Sequence, residues 1–164
     1  MNTGQMLITI GAMILFSSVM LRVNTNSLEN TDTVYNSKFA ILGTSLANSI
    51  IEEASDKAFD ENTVDNSITD STYLTPPSSL GREDGEVYPH FNDVDDFNGY
   101  TRTDSTMPSA VFHLICKVEY VSTLNPDVVS SSCTWSKRIT VSVYSSSMSD
   151  TLKLSSLYTY WTFR

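Results

Sequence analysis

No charged residue occurs in the first 21 positions, MNTGQMLITIGAMILFSSVML, and from Met6 to Leu21 the chain is apolar or small, with only Thr9, Ser17 and Ser18 hydroxylic. A run of this kind has to be covered by something, and it is too long for a loop. It falls slightly short of the roughly 20 residues that span a bilayer, but Gln5 and Val23 can extend it. A cleaved secretory signal would carry a positive leader and a small-x-small cleavage site. Here the leader is MNTG, and the chain runs on into LRVNTNSLEN without such a site.

The pattern continues as helix. Tyr35, Phe39, Leu42, Leu46 and Ile50 recur at helical spacing, Ala47, Ile51, Ala54 and Ala58 widen the stripe, and no proline precedes Pro76. Helix from Gln5 to Ala58 would measure about 80 Å. Its weak point is VNTNSLENTDT, poor in helix formers, where a break is expected. The first third thus reads as an apolar half-helix, residues 5–27, and an amphipathic half-helix, residues 28–58. The apolar half has nothing in its own chain to pack against.

The net charge of −9 over 164 residues argues against nucleic acid, which needs clustered Lys and Arg. That charge is localised: Asp60 to Asp104 holds eleven acids and two bases, and the remainder is neutral. Residues 60–108 are punctuated by Pro76-Pro77, Gly81, Gly85 and Asn98-Gly99, and read as a variable acidic loop region with room for short strands.

Three strand-like runs follow within residues 110–164: AVFHLICKVEYVS, CTWSKRITVSVYS and TLKLSSLYTYWTFR. Phe112, Leu114, Cys116, Val118 and Tyr120 alternate with His113, Lys117 and Glu119. Trp135, Ile139, Val141 and Val143 alternate with Ser136, Arg138, Thr140 and Ser142. Such alternation predicts half-buried antiparallel strands. Only the amphipathic half-helix can cover their apolar face, so the expected architecture is α+β: a long N-terminal helix packed on a C-terminal antiparallel meander. Cys116 and Cys133, behind an apolar segment that implies export, read as a disulfide closing a hairpin, against the alternative of two buried thiols. Of the C-terminal aromatics Tyr158, Tyr160, Trp161 and Phe163, one alternating set belongs to the core and the other is available for contacts between subunits.

A short polar leader ending in Gly4, an apolar helix (GQMLITIGAMILF), an amphipathic continuation, a variable loop, a meander and a late cysteine pair together resemble a type IV pilin or pseudopilin. FNDVDDFNGY (Phe91 to Tyr100) is similar to a phrase in minor, prepilin-like proteins of such systems. The resemblance implies a 1–4 leader removed by a prepilin peptidase between Gly4 and Gln5, and a globular head over residues 28–164. It also implies insertion in the inner membrane before assembly, and then an extracellular helical filament built from copies of the chain and other pilus subunits. Met6, Leu7, Ile8, Ile10, Met13, Ile14, Leu15, Phe16, Val19 and Leu21 would form the filament core. Three departures stand out: Thr9 where the family has a glutamate, Gln5 rather than an apolar first residue, and an uncharged leader. The missing glutamate points to a minor subunit or a divergent branch. A single-pass anchored extracellular binding domain, or a minor pseudopilin of a secretion system, is the alternative.

Catalytic signatures are lacking. There is no G-x-S-x-G and no phosphate-binding glycine loop, and His90 and His113 have no Cys or His at metal-ligand spacing, so no enzyme is expected. Asp93, Asp95, Asp96 and Asn98 crowd hard oxygen ligands around a turn at Gly99, which suits Ca²⁺. Phe97 occupies a position where the EF-hand pattern needs oxygen, and the competing reading is a solvated acidic turn with Asn98-Gly99 as a hairpin corner.

Overall fold

The computed structural model describes residues 2–162. The chain divides into two compact units, one ending at Lys38 and the other beginning at Phe39. Helix α1, Thr3–Ser55, contributes to both.

Within the first unit α1 is continuous, and no described residue is buried. The break expected in VNTNSLENTDT does not occur. Hydroxyls there turn back onto the preceding turn: Thr25 donates to the Leu21 carbonyl at 3.0 Å, Thr31 to Ser27 at 2.9 Å and Thr33 to Glu29 at 2.9 Å. A Thr side chain bonded in this way no longer competes for the amides that helix formation needs.

In the second unit α1 buries Phe39, Gly43, Ala47, Ile50 and Ala54. This line is rotated from the expected stripe. Leu42 and Leu46 flank it, partly buried, and Tyr35 is exposed. Gly43 and Ala47 occupy the middle because the helix backbone comes close to the sheet, where a leucine would not fit. The helix stops at Ser55 rather than Ala58. The Ala58 amide donates instead to the Asn92 carbonyl at 3.1 Å, and the Ala58 carbonyl accepts from Val94 at 3.0 Å.

The sheet is an antiparallel meander of four strands, β1 (Thr101–Asp104), β2 (Phe112–Tyr120), β3 (Ser136–Tyr144) and β4 (Leu152–Thr159), in that order. β1 lies inside the stretch read as loop. Its sequence, TRTD, has no apolar alternation, and pairing with the edge of β2 makes it a strand. The inward faces match expectation on β2 (Phe112, Leu114, Cys116, Val118, Tyr120) and on β3 (Ile139, Val141, Val143). The fold is therefore α+β and pilin-like, with α1 from Phe39 onward against the sheet. Phe39 meets Phe112 edge to face, and the Tyr158 hydroxyl donates to the Ile51 carbonyl at 2.6 Å. At the C-terminus Tyr160 is buried and stacks on Trp135, Trp161 is exposed, and Phe163 lies outside the described residues.

The acidic region is not a solvated loop. Leu74, Phe91, Val94, Phe97 and Tyr100 from it, with Phe59 just before it, are all buried in the common core. In FNDVDDFNGY the apolar residues fall three apart, and Phe91, Phe97 and Tyr100 form an edge-to-face aromatic cluster. Gly99, at φ +76°, takes a left-handed turn that strains other residues and lets β1 begin beside β2.

The expected Cys116–Cys133 disulfide is not formed; both are free thiols. Cys116 sits opposite Val141, midway along β2. Cys133 packs at the Tyr120 end, where its Sγ and the Tyr120 hydroxyl both meet the Thr75 carbonyl. Tyr120 lies four strand residues, about 13 Å, from Cys116, so the two thiols belong to different ends of the β2 core face.

Two outcomes follow. In the folded protein a thiol reagent should modify half-exposed Cys133 and spare Cys116, whose thiol burial raises to about 12, until denaturant is added; native material without titratable thiol would contradict this arrangement. A Cβ on Gly43 would meet Val143 at 3.5 Å, an ordinary contact, so Gly43→Ala should stabilise the fold by about 0.5–1 kcal/mol through helix propensity. Ala47→Leu should cost about 1–3 kcal/mol by overpacking. Denaturant unfolding of both variants checks the pair.

Candidate functional site

The second unit holds a charged centre. Lys137 lies on the inward face of β3, in line with Ile139, Val141 and Val143, and is fully buried. Its Nζ donates to the Phe59 carbonyl at 2.8 Å and to Asp60 Oδ2 at 2.8 Å, forms an ion pair with Asp95, and sits over the rings of Phe59 and Tyr120. Asp60 accepts further bonds from the amide and hydroxyl of Thr75 and from the Asn62 amide, capping the first of several short 3₁₀ turns, Glu61–Thr63. Burial opposes ionisation of Asp60, yet Lys137, Thr75 and Tyr120 together hold its carboxyl below the ordinary value. Burial, with Asp60 and Asp60's hydrogen bond adding to it against Lys137, pushes Asp95 up to about 7. The Tyr120 hydroxyl, 3.0 Å from Asp60, is raised far above its usual range by burial and by Asp60 and Asp95.

Beside this centre lies a group of carboxylates with no such partner. Glu61, from the capped turn, meets Glu83 and Glu86 from the loop around Gly85, with one oxygen of each within 4.8 Å of the others. Buried Asp96 brings its carboxyl into hydrogen-bonding range of Glu86, and Asp93 is near enough to raise Glu83. Backbone amides organise the neighbouring turn: Asp93 Oδ1 accepts from Asp95 and Asp96, and Asp96 Oδ2 accepts from Asn92 at 2.9 Å. The ion pairs among the described residues leave Glu61, Glu83, Glu86, Asp93 and Asp96 without a cation. Burial first, then neighbouring carboxyls, pushes Glu83 and Asp93 up to about 8 and Asp96 up to about 6.

The four residues expected to surround a cation thus part company. Asp95 serves Lys137. Asn98 ties two backbone segments together, donating to the Leu80 carbonyl at 2.9 Å and accepting from Val118 at 3.1 Å. Only Asp93 and Asp96 remain beside the unpaired carboxylates, and all three aspartates are buried rather than solvated. His113 stacks on Tyr144 on the outer face of the sheet, and His90 is exposed.

The second candidate surface belongs to the first unit. Met6, Leu7, Ile8, Ile10, Met13, Ile14, Leu15, Phe16, Val19 and Leu21 are all exposed, and an 18-residue window of α1 reaches a mean hydropathy of 2.0 with none of it buried. That length and composition suffice to cross a membrane. Polar side chains within it turn inward: Thr9 donates to the Gln5 and Met6 carbonyls at 3.0 and 2.9 Å, and Ser18 to Leu15 at 2.8 Å. Gly4 and Gln5 lie in the first turns of α1, exposed.

Lys137 is missing from the residues expected from sequence, although a lysine at an apolar position of the β3 alternation is a local signal. Glu61, Glu83 and Glu86 carried no spacing signal, because they meet only after three turns fold together. Lys137→Met, which keeps the length of the side chain but strands Asp60 and Asp95, should cost about 3–5 kcal/mol in denaturant unfolding. Adding Asp60→Asn and Asp95→Asn should recover part of that loss.

No protein-family model matches the chain, and no curated protein and no solved structure matches it.

Proposed function

We propose that the protein is a structural, non-catalytic subunit of an extracellular type IV pilus-like filament. In this reading it is held in the inner membrane first and then polymerises through the apolar part of α1 with copies of itself and other pilus subunits. The observation that carries the reading is the wholly exposed apolar run from Met6 to Leu21. An apolar surface of that extent needs a cover. A bilayer provides one before assembly, and the same segments of neighbouring copies provide another afterwards, at about 25 cal/mol for each Å² removed from water. The self-contained core supports a separate head, since its described members all lie at Phe39 or beyond.

Thr9 shapes the assembly chemistry. Its hydroxyl is engaged by its own helix and carries no charge, so this subunit brings no carboxylate to a neighbour's N-terminal amine. That suits a subunit present in few copies, or a filament held by apolar packing alone. Processing between Gly4 and Gln5 belongs to the same proposal.

The test is a charge in the middle of the segment. Ile14 is exposed on the free chain, and Ile14→Asp would strand a carboxylate in the filament core or the bilayer at a cost of several kcal/mol. Cells carrying it should shed no filaments containing the chain, as seen by electron microscopy of sheared surface material, while a fragment lacking residues 1–26 stays soluble, folded and monomeric. Normal filaments from Ile14→Asp cells would sink the proposal. Wild-type chain found only in detergent-extracted membrane would favour the anchored binding domain instead.

A further inference from the structure

We propose that Glu61, Glu83 and Glu86, with Asp96 beside them, form a binding site for one divalent cation of the Ca²⁺ type in the head. The cluster draws on three separate segments: the turn after Asp60, the Gly85 loop and the turn of FNDVDDFNGY. One carboxylate oxygen from each glutamate lies within 4.8 Å of the other two. Oxygens within that distance can all reach one ion held at about 2.4 Å, the distance Ca²⁺ prefers, and an all-carboxylate set drawn from three segments suits Ca²⁺ better than Mg²⁺, which demands a near-ideal octahedron and gives up its waters reluctantly.

A second observation is independent of the cluster's spacing. Glu61 Oε2, Glu83 Oε2, Asp93 Oδ2 and Asp96 Oδ1 are all buried with no hydrogen-bond donor among the described residues, and Asp93 and Asp96 are wholly buried as residues. The Asp96 carboxyl is directed at Glu86. Buried oxygens without a donor are costly and rare in folded proteins. Lys137 cannot serve them, because Asp60, Asp95 and the Phe59 carbonyl already take its donors. Asn92 completes the arrangement: its Nδ2 donates to Glu86 Oε1 at 2.8 Å and fixes that carboxylate, while its own Oδ1 is buried and unpaired.

This site differs from the aspartate turn expected from sequence, since Asp95 and Asn98 have other partners and three glutamates take their place. It stands independently of filament assembly, because it lies wholly in the unit beginning at Phe39.

The full chain in detergent micelles, stripped with EDTA, is titrated with CaCl₂ and separately with MgCl₂, and its thermal unfolding followed. At a Ca²⁺ concentration about 100 times Kd the midpoint should rise by roughly 5–10 °C, with a smaller response to Mg²⁺, and EDTA should reverse it. Glu83→Gln should weaken Ca²⁺ binding at least about tenfold. In EDTA the same variant should unfold no earlier than wild type, because glutamine is nearly isosteric and neutral and so avoids the cost of burying a carboxylate. Glu61→Gln should behave alike, which separates loss of a ligand from loss of fold. An unchanged midpoint at millimolar Ca²⁺, or Glu83→Gln and Glu61→Gln proteins that bind Ca²⁺ as wild type does, would overturn the site.

Discussion

The head is organised around one buried ammonium. Lys137 reaches from the start of β3 to Asp60 and Asp95, and so pins the exit of α1, the acidic segment and β3 to a common point. Burying such a cation is costly unless every donor is matched, and here two carboxylates, a carbonyl and two aromatic faces meet it. The consequence reaches well beyond the pair. Asp60, once held, caps the turn that presents Glu61 and anchors the amide of Thr75, and Tyr120 closes the network over them.

This explains why the acidic stretch is not a loose connection. Its aromatic residues supply a large part of the core, its aspartates spend their oxygens on turn amides, and Asn98 bonds to the edge of β2. One buried lysine serves two of its acids, Asp60 and Asp95. The imbalance that remains, around Glu61, Glu83 and Glu86, is what a divalent cation would relieve.

The two parts of α1 are sustained in different ways. From Phe39 on, small residues let the helix lie close on the sheet, and its stability is tertiary. Before Lys38 no described residue is buried, and backbone bonds and hydroxyls folded onto their own carbonyls help sustain the helix. A helix so arranged is stable where water is absent, in lipid or among its own kind, and the head can fold without regard to which of these surrounds it.

Periodicity in the chain was enough to determine the α+β class, the apolar span, the helix that covers the sheet and the inward faces of β2 and β3, because each rests on local repetition of period 3.6 or 2. Position along a strand is also local information, and Lys137, passed over in that alternation, is a lysine in line with Ile139, Val141 and Val143. What only the tertiary structure decided are features that depend on residues distant in sequence. β1 is a strand because β2 offers an edge. The cysteines stay apart because the β2–β3 register sets Cys116 opposite Val141 rather than near Cys133. The helix ends at Ser55 because Asn92 and Val94 claim the backbone of Ala58. Glu61, Glu83 and Glu86 converge through three turns, and no one-dimensional spacing records that meeting.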